Sequence, residues 1–385
     1  MSALDYNFAI LKYVGIWRPR EWSTGWKYRL YNIYTSFVIL IVAVMATAEL
    51  IDLLLTLNDI DHLAESMFMM LSLISVCGKS VTILISRDRI IKLLDILKTE
   101  ICQAKNPDED VAQEKFYRRI RFRVKAYSLL VIVTVIVMTI GNMLLIVIDR
   151  ILPIGFWTPF NMSRDSVYIS VISEEFCGLS ITAFVNMSYD TLVPGIMLYS
   201  CAQFCILKCR IRNVATIYMK LEQTNAEQEK VTRDEISNCV RHHLLINQFA
   251  EEVNSIFGSA ISLQCICSLI IICMSIYKLG HIKGINTEFA STMVYSSAML
   301  LQIFMLCFAG TELTHESQHF GNAIYDADWY MLSQSNKASM LLMMVRSLRP
   351  IIFTSASVIQ LSLGFFVQLI KLSYTTYNFL QQMSV

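Results

Sequence analysis

Charge is the scarcest ingredient of this chain. Only 16% of its 385 residues are Asp, Glu, Lys or Arg, against about a quarter in an ordinary soluble domain. No block of like charge suggests a nucleic-acid partner. Walker, dinucleotide-binding and hydrolase motifs are all missing, which removes the common enzyme classes with a local signature. None of the eleven Cys forms a Cys-x-x-Cys pair, so the simplest redox and zinc arrangements are excluded. Residues 1–30 lack a compact apolar run ending at a small-residue cleavage site, and no cleavable signal peptide is expected. No metal and no cofactor are expected.

What is present is apolar. Hydrophobic residues make up 55% of the chain, and the mean hydropathy is +0.50. A membrane span takes about 20 mainly apolar residues. Seven stretches qualify: Tyr31–Leu57, Leu63–Ser86, Tyr127–Ile148, Phe176–Leu207, Ser255–Tyr277, Phe289–Gly310 and Ile351–Ile370. Backbone polar groups in lipid must be satisfied within the segment, so these runs are predicted as helices. The fold class is an all-α polytopic membrane protein. Glu49, Asp52, Lys79 and Asp190 interrupt the runs, and charges at such positions face protein or water. Leu4, Phe8, Ile10 and Leu11 fit one side of a short helix before Pro19, lying on the membrane surface or packed on the bundle.

The distribution of Lys and Arg sets the threading. The N-terminal 30 residues and the second, fourth and sixth connections carry 25 of them, while the first, third and fifth carry 4. Cytoplasmic loops hold the excess, so the N-terminus is predicted inside and the C-terminus outside. The acceptor pattern Asn161-Met162-Ser163 lies in the third connection, on the predicted outer side. The charged connections 87–125 and 208–254 keep helical periodicity at Ile90, Leu93, Leu94 and Leu97, and at Ile236, Val240, Leu244 and Leu245. Long helices projecting into a cytosolic layer are therefore expected. Arg87–Lys98 should extend the second span, Pro107 should break it, and a new helix should start near Val111.

Two motifs mislead. His315-Glu316-Ser317-Gln318-His319 matches the H-E-x-x-H zinc pattern, but no third ligand follows: no Glu comes after Glu316 and no His after His319. Asp149-Arg150-Ile151 imitates the Asp-Arg-Tyr motif of G-protein-coupled receptors, yet the charge count puts it outside. The seventh span has no Asn-Pro-x-x-Tyr. Cys201, Cys205 and Cys209, and Cys265 with Cys267, read as small apolar residues.

The C-terminal region carries a recognisable pattern. Ala323-Ile324-Tyr325-Asp326-Ala327-Asp328-Trp329-Tyr330 leads to Met344-Val345-Arg346-Ser347-Leu348-Arg349-Pro350. An apolar run then ends in Leu372-Ser373-Tyr374-Thr375-Thr376-Tyr377-Asn378-Phe379-Leu380. This resembles the insect odorant receptor family, in motif over about the last 65 residues and in span number, length and inverted topology throughout. Asn378 and Gln381-Gln382-Met383 depart from the usual aromatic and aliphatic ending.

The resemblance implies an odorant-binding tuning subunit of a ligand-gated, non-selective cation channel in the plasma membrane of olfactory neurons. It implies four subunits around a pore lined by the seventh helix, in a heterotetramer with the odorant receptor co-receptor (Orco). Residues 1–310 would hold six helices and the pocket, and residues 311–385 the cytosolic anchor and pore helix. The family's pocket lies between the outer halves of the second, third, fourth and sixth helices. With the predicted topology those halves carry Phe68, Met69 and Ser72; Met138, Asn142 and Leu145; Phe176, Ser180, Phe184 and Met187; and Tyr295, Ser296 and Met299. Apolar walls with a few polar groups suit a volatile ligand with one oxygen. Gate candidates at the outer end of the last helix are Tyr377, Leu380, Gln381 and Ser384. A gustatory-receptor-like homotetrameric channel and, more distantly, an intramembrane zinc protease are the alternatives.

Overall fold

The structure is a computed structural model that describes residues 4–55, 60–149, 158, 164–220, 225–282, 287–355 and 359–383. Among the described residues ten α-helices run in chain order: α1 Asp5–Tyr13, α2 Trp26–Leu55, α3 Ile60–Ile85, α4 Arg87–Ile96, α5 Pro107–Asp149, α6 Asp165–Lys220, α7 Asn225–His281, α8 Thr287–Tyr325, α9 Gln334–Ser347 and α10 Leu363–Met383. The only strands among the described residues are β1 Thr354–Ser355 and β2 Ile359–Gln360, an antiparallel pair. The inner and outer ends named below are those assigned by the Lys/Arg count.

At 1.5 Å per residue, α6 and α7 are about 85 Å long, far beyond the thickness of a bilayer. Their apolar parts and their charged extensions form single helices of 56 and 57 residues, as the periodicity of the connections predicts. The central element is α6, which packs against α1, α2, α3, α5, α7 and α8. By contrast α2 is peripheral: Leu30, Ile33, Phe37, Leu40 and Val44 form an exposed stripe at the 3–4 spacing of one helix face. The short α1 packs on the bundle, with Leu4 and Leu11 buried and Phe8 against Trp17 at 4.6 Å.

Three boundaries differ from the sequence expectation. The second span does not run on: α3 ends at Ile85 and α4 starts afresh at Arg87. The next helix starts at Pro107 rather than near Val111. Proline is tolerated in a first turn, where its missing N–H has no partner to lose. Asp108, Glu109 and Asp110 favour the positive end of the helix dipole, and the Glu109 carboxylate accepts the Lys105 N–H at 3.0 Å.

The third correction matters most. The run Ile351–Ile370 is not one helix; residues 351–353 are non-helical, the strands β1 and β2 pair as a hairpin, and α10 begins at Leu363. Pro350 and the β-branched Ile351, Ile352 and Thr354 disfavour helix there. Non-helical backbone inside an apolar bundle needs protein partners, and side chains supply them. Ser317 accepts the Ile351 N–H at 3.0 Å, Asn254 the Thr354 N–H at 3.1 Å and Thr311 the Leu363 N–H at 2.9 Å. Gly310 permits the approach, since a Cβ there would lie 2.6 Å from the Leu361 carbonyl oxygen.

Candidate functional site

At the outer end, α3 and α8 bring together three of the expected pocket residues. The Tyr295 hydroxyl donates to the Phe68 carbonyl at 3.3 Å. Its single proton being used there, the Ser72 hydroxyl, 2.5 Å away, is the donor to Tyr295. The Phe68 and Tyr295 rings are 5.9 Å apart. Met69, Phe176, Ser180, Phe184 and Met299 are half-buried, and Met187 is buried. The Ser296 hydroxyl is turned onto its own helix, donating to the Thr292 carbonyl. The side chains of Met138, Asn142 and Leu145 lie outside the described residues.

Deeper in the bundle is a polar layer. The Lys79 ammonium, fully buried, donates to Asp190 at 2.6 Å and to Asn186 at 2.5 Å. Asp190 also accepts from Gln264 at 3.0 Å and Tyr127 at 3.5 Å. Asn186 donates to Gln302 at 3.3 Å, and Gln302 donates to Ser268 at 3.3 Å and to the Met299 sulfur at 3.0 Å. Five helices, α3, α5, α6, α7 and α8, thus meet in one network, which touches the candidate pocket through Met299. Lys79 and Asp190 stand out in the sequence as charges within spans, 111 residues apart and with no local motif that pairs them. The signal was there: Lys79 lies about 24 Å, and Asp190 about 21 Å, below the outer starts of their spans. Opposite charges at equal depth invite pairing, because each alone would be costly. A small cavity lies just below, lined by Asp190, Pro194, Arg123 and Met305 among others.

The last helix has two unlike faces. Leu369 and Ser373 are buried against the bundle, the Phe366 ring sits 5.5 Å from Phe304 of α8, and Tyr377 lies on Gly280 of α7, whose Cβ would meet its hydroxyl at 2.7 Å. The opposite face carries Gln368, Lys371, Thr375, Asn378 and Gln382, at spacings of three, four, three and four residues. All but the half-buried Asn378 are exposed. Among the gate candidates, Tyr377 is therefore on the bundle side, and Leu380 shares that register. The Leu380 and Gln381 side chains and all of Ser384 lie outside the described residues. A span drawn at 351–370 hides the polar stripe, because it starts the helix a dozen residues early and leaves four of the five stripe residues outside it.

The inner end is laced with charge. Arg210 donates to Glu109 at 3.1 Å and to the Ile101 and Gln103 carbonyls, both at 2.6 Å. His242 donates from Nε2 to Gln203 at 2.9 Å and faces Arg210 with Nδ1 at 3.3 Å, the pattern of a neutral ring. Burial, with Arg210 adding to it, holds the His242 pKa down to about 3. Burial holds His243 down to about 4. Glu316 of the zinc-like motif accepts from Lys208 at 2.6 Å, and the His315 and His319 rings lie 4.1 Å apart, tilted by 46°. Among the described residues no cluster of His, Cys, Asp or Glu is arranged to hold a metal. Asp149 ends α5; Arg150, Ile151 and Asn161 lie outside the described residues.

A family profile described as 7tm Odorant receptor matches residues 59–374. The chain belongs to the odorant receptor family. Odorant receptor Or1 of Anopheles gambiae is 22% identical, over 97% of this chain and 93% of its own length. Odorant receptor 46a isoform B of Drosophila melanogaster is 20% identical, over 98% of both. The olfactory receptor OR5 of Machilis hrabei, solved in complex with eugenol, superposes with a TM-score of 0.86 at 18% identity, over 99% of this chain and 97% of the other. Odorant receptors of this family are multi-pass membrane receptors, and the chain is not an enzyme.

Proposed function

We propose that this odorant receptor is the tuning subunit of a ligand-gated, non-selective cation channel, assembled with the odorant receptor co-receptor as a heterotetramer in the plasma membrane of olfactory sensory neurons. The observation that carries the channel reading is the exposed polar stripe on α10. A Lys near the middle of a span costs about 3 kcal/mol in lipid, and Gln, Thr and Asn add to the penalty. Such a face belongs against water, and copies of α10 gathered around an axis would enclose it. Residues 311–385 then form the anchor and pore unit, though the division at 310 falls inside α8.

The odorant enters between the outer parts of α3, α5, α6 and α8, where Phe68, Ser72 and Tyr295 already touch. Binding opens the channel by favouring the conformation that holds the odorant better. Phe68 and Tyr295 give aromatic walls, and the Ser72–Tyr295 pair offers an exchangeable hydrogen bond to one ligand oxygen. The OR5 receptor of Machilis hrabei was solved in complex with eugenol. Met69, Phe184, Met187 and Met299 would complete the lining. The test is to record currents across an odorant panel with and without the co-receptor. Odorant-evoked current only with the co-receptor is expected; current from this chain alone would favour a gustatory-receptor-like homotetramer.

A further inference from the structure

We infer that Lys371 is a selectivity determinant of the conduction path, a fixed positive charge that disfavours divalent relative to monovalent cations. The inference rests on the channel reading above. Lys371 sits on the exposed stripe of α10, flanked by the neutral Gln368 and Thr375. Among the described residues no carboxylate pairs with it. Nor can its own helix supply one, since no Asp or Glu follows Asp328 in the sequence. No other charged residue lies on α10, Leu363–Met383.

Electrostatic repulsion scales with the charge of the passing ion. A unit charge about 6 Å from the path, in a water-like medium, disfavours a monovalent cation roughly three-fold and a divalent cation roughly ten-fold. Mobile ions screen part of this, so the net discrimination is about three-fold or less per Lys371 facing the path. The neutral members of the stripe hydrate an ion without regard to valence, which leaves Lys371 as the discriminating group on this helix.

The test is a reversal-potential measurement on the chain co-expressed with the co-receptor, in calcium against sodium. Lys371→Gln is expected to raise the calcium-to-sodium permeability ratio by up to roughly three-fold, Lys371→Glu to raise it further, and Lys371→Arg to keep the wild-type value. Should the Gln and Glu variants yield no current, Thr375→Cys, one turn further along the stripe, carries the test. A cationic thiol reagent there should lower the ratio and an anionic one should raise it. Reversal potentials that stay fixed across these variants and reagents would overturn the inference while leaving the channel reading intact. Absence of odorant-evoked current from the wild-type pair, at normal surface expression, would overturn both.

Discussion

The two ends of the bundle are held by different forces. At the inner end, long helices are tied by charge: Arg210 to Glu109, Lys208 to Glu316, Arg119 to Glu312 and Arg346 to Asn247, all within 3.1 Å. At the outer end, the contact between α3 and α8 rests on Phe68, Ser72 and Tyr295. Between them lies the Lys79–Asp190 layer. A receptor needs this division, because ligand sites are drawn from the less stable parts of a fold. The inner end must keep its geometry while the outer end rearranges around a ligand, and the polar layer marks where one regime gives way to the other.

The largest expected effect comes from breaking that boundary. Asp190→Leu would leave the Lys79 ammonium buried without its carboxylate, which costs about 3–5 kcal/mol. Surface biotinylation should show near-complete loss. Adding Lys79→Met should restore much of it, because a buried ion pair exchanged for apolar side chains is often tolerated. A double variant as poorly expressed as the single would mean that the layer acts through its other members.

A smaller break at the inner end is Gly310→Ala. The new methyl would meet the Leu361 backbone, not a flexible side-chain tip, so the hairpin preceding α10 must shift. Overpacking of this kind costs about 1–3 kcal/mol. Because the hairpin sets where α10 starts, the expected readout is altered basal current with the co-receptor at unchanged odorant affinity. A change in affinity alone would place the effect at the outer end.

The contrast between the ends also governs what the sequence could reveal. Span number, the helical character of the charged connections and the placing of Lys79 and Asp190 away from lipid were all legible, because periodicity and charge are local properties. The start of the last helix was not. Ile351–Ile370 has no charge and the length of a span, and what makes it a hairpin is four distant side chains, Asn254, Thr311, Thr314 and Ser317, that take up its backbone groups. Once the helix is registered from Leu363, the stripe from Gln368 to Gln382 is plain in the sequence. The Ser72–Tyr295 contact could be named only as two residues at one depth; their bond joins positions 223 apart in sequence.

Acidification should weaken the inner end. His242 and His243 stay neutral in the fold, while the unfolded chain protonates below about 6.5. The unfolded state therefore binds more protons as pH falls from 6.5 toward 3–4, and stability drops by on the order of 1 kcal/mol per pH unit for each ring. Thermal midpoints of the solubilised receptor should fall between pH 7.5 and 5.5. His243→Phe should flatten the slope, because the ring sits between Phe204 and Phe320 at 6.2 and 4.6 Å and Phe keeps that packing. A slope unchanged by the substitution would assign the pH response to other groups.

The mildest perturbation is the one that tests the outer end itself. Tyr295→Phe keeps the ring against Phe68 and removes only the hydroxyl that accepts from Ser72 and donates to the Phe68 carbonyl. The net loss for such a bond is about 0.5–1.5 kcal/mol, too little to prevent surface expression. If a ligand oxygen displaces Ser72 from Tyr295, removing the hydroxyl should weaken oxygen-bearing odorants several-fold and leave hydrocarbons of the same shape unaffected. Ser72→Ala should act in the opposite sense, because it leaves the Tyr295 oxygen without its donor and open to a ligand hydroxyl. Dose–response curves for matched pairs of odorants decide the matter. Equal shifts for both members of a pair would mean that Ser72 and Tyr295 merely hold α3 to α8, and that the odorant is read elsewhere along the outer faces of α5 and α6.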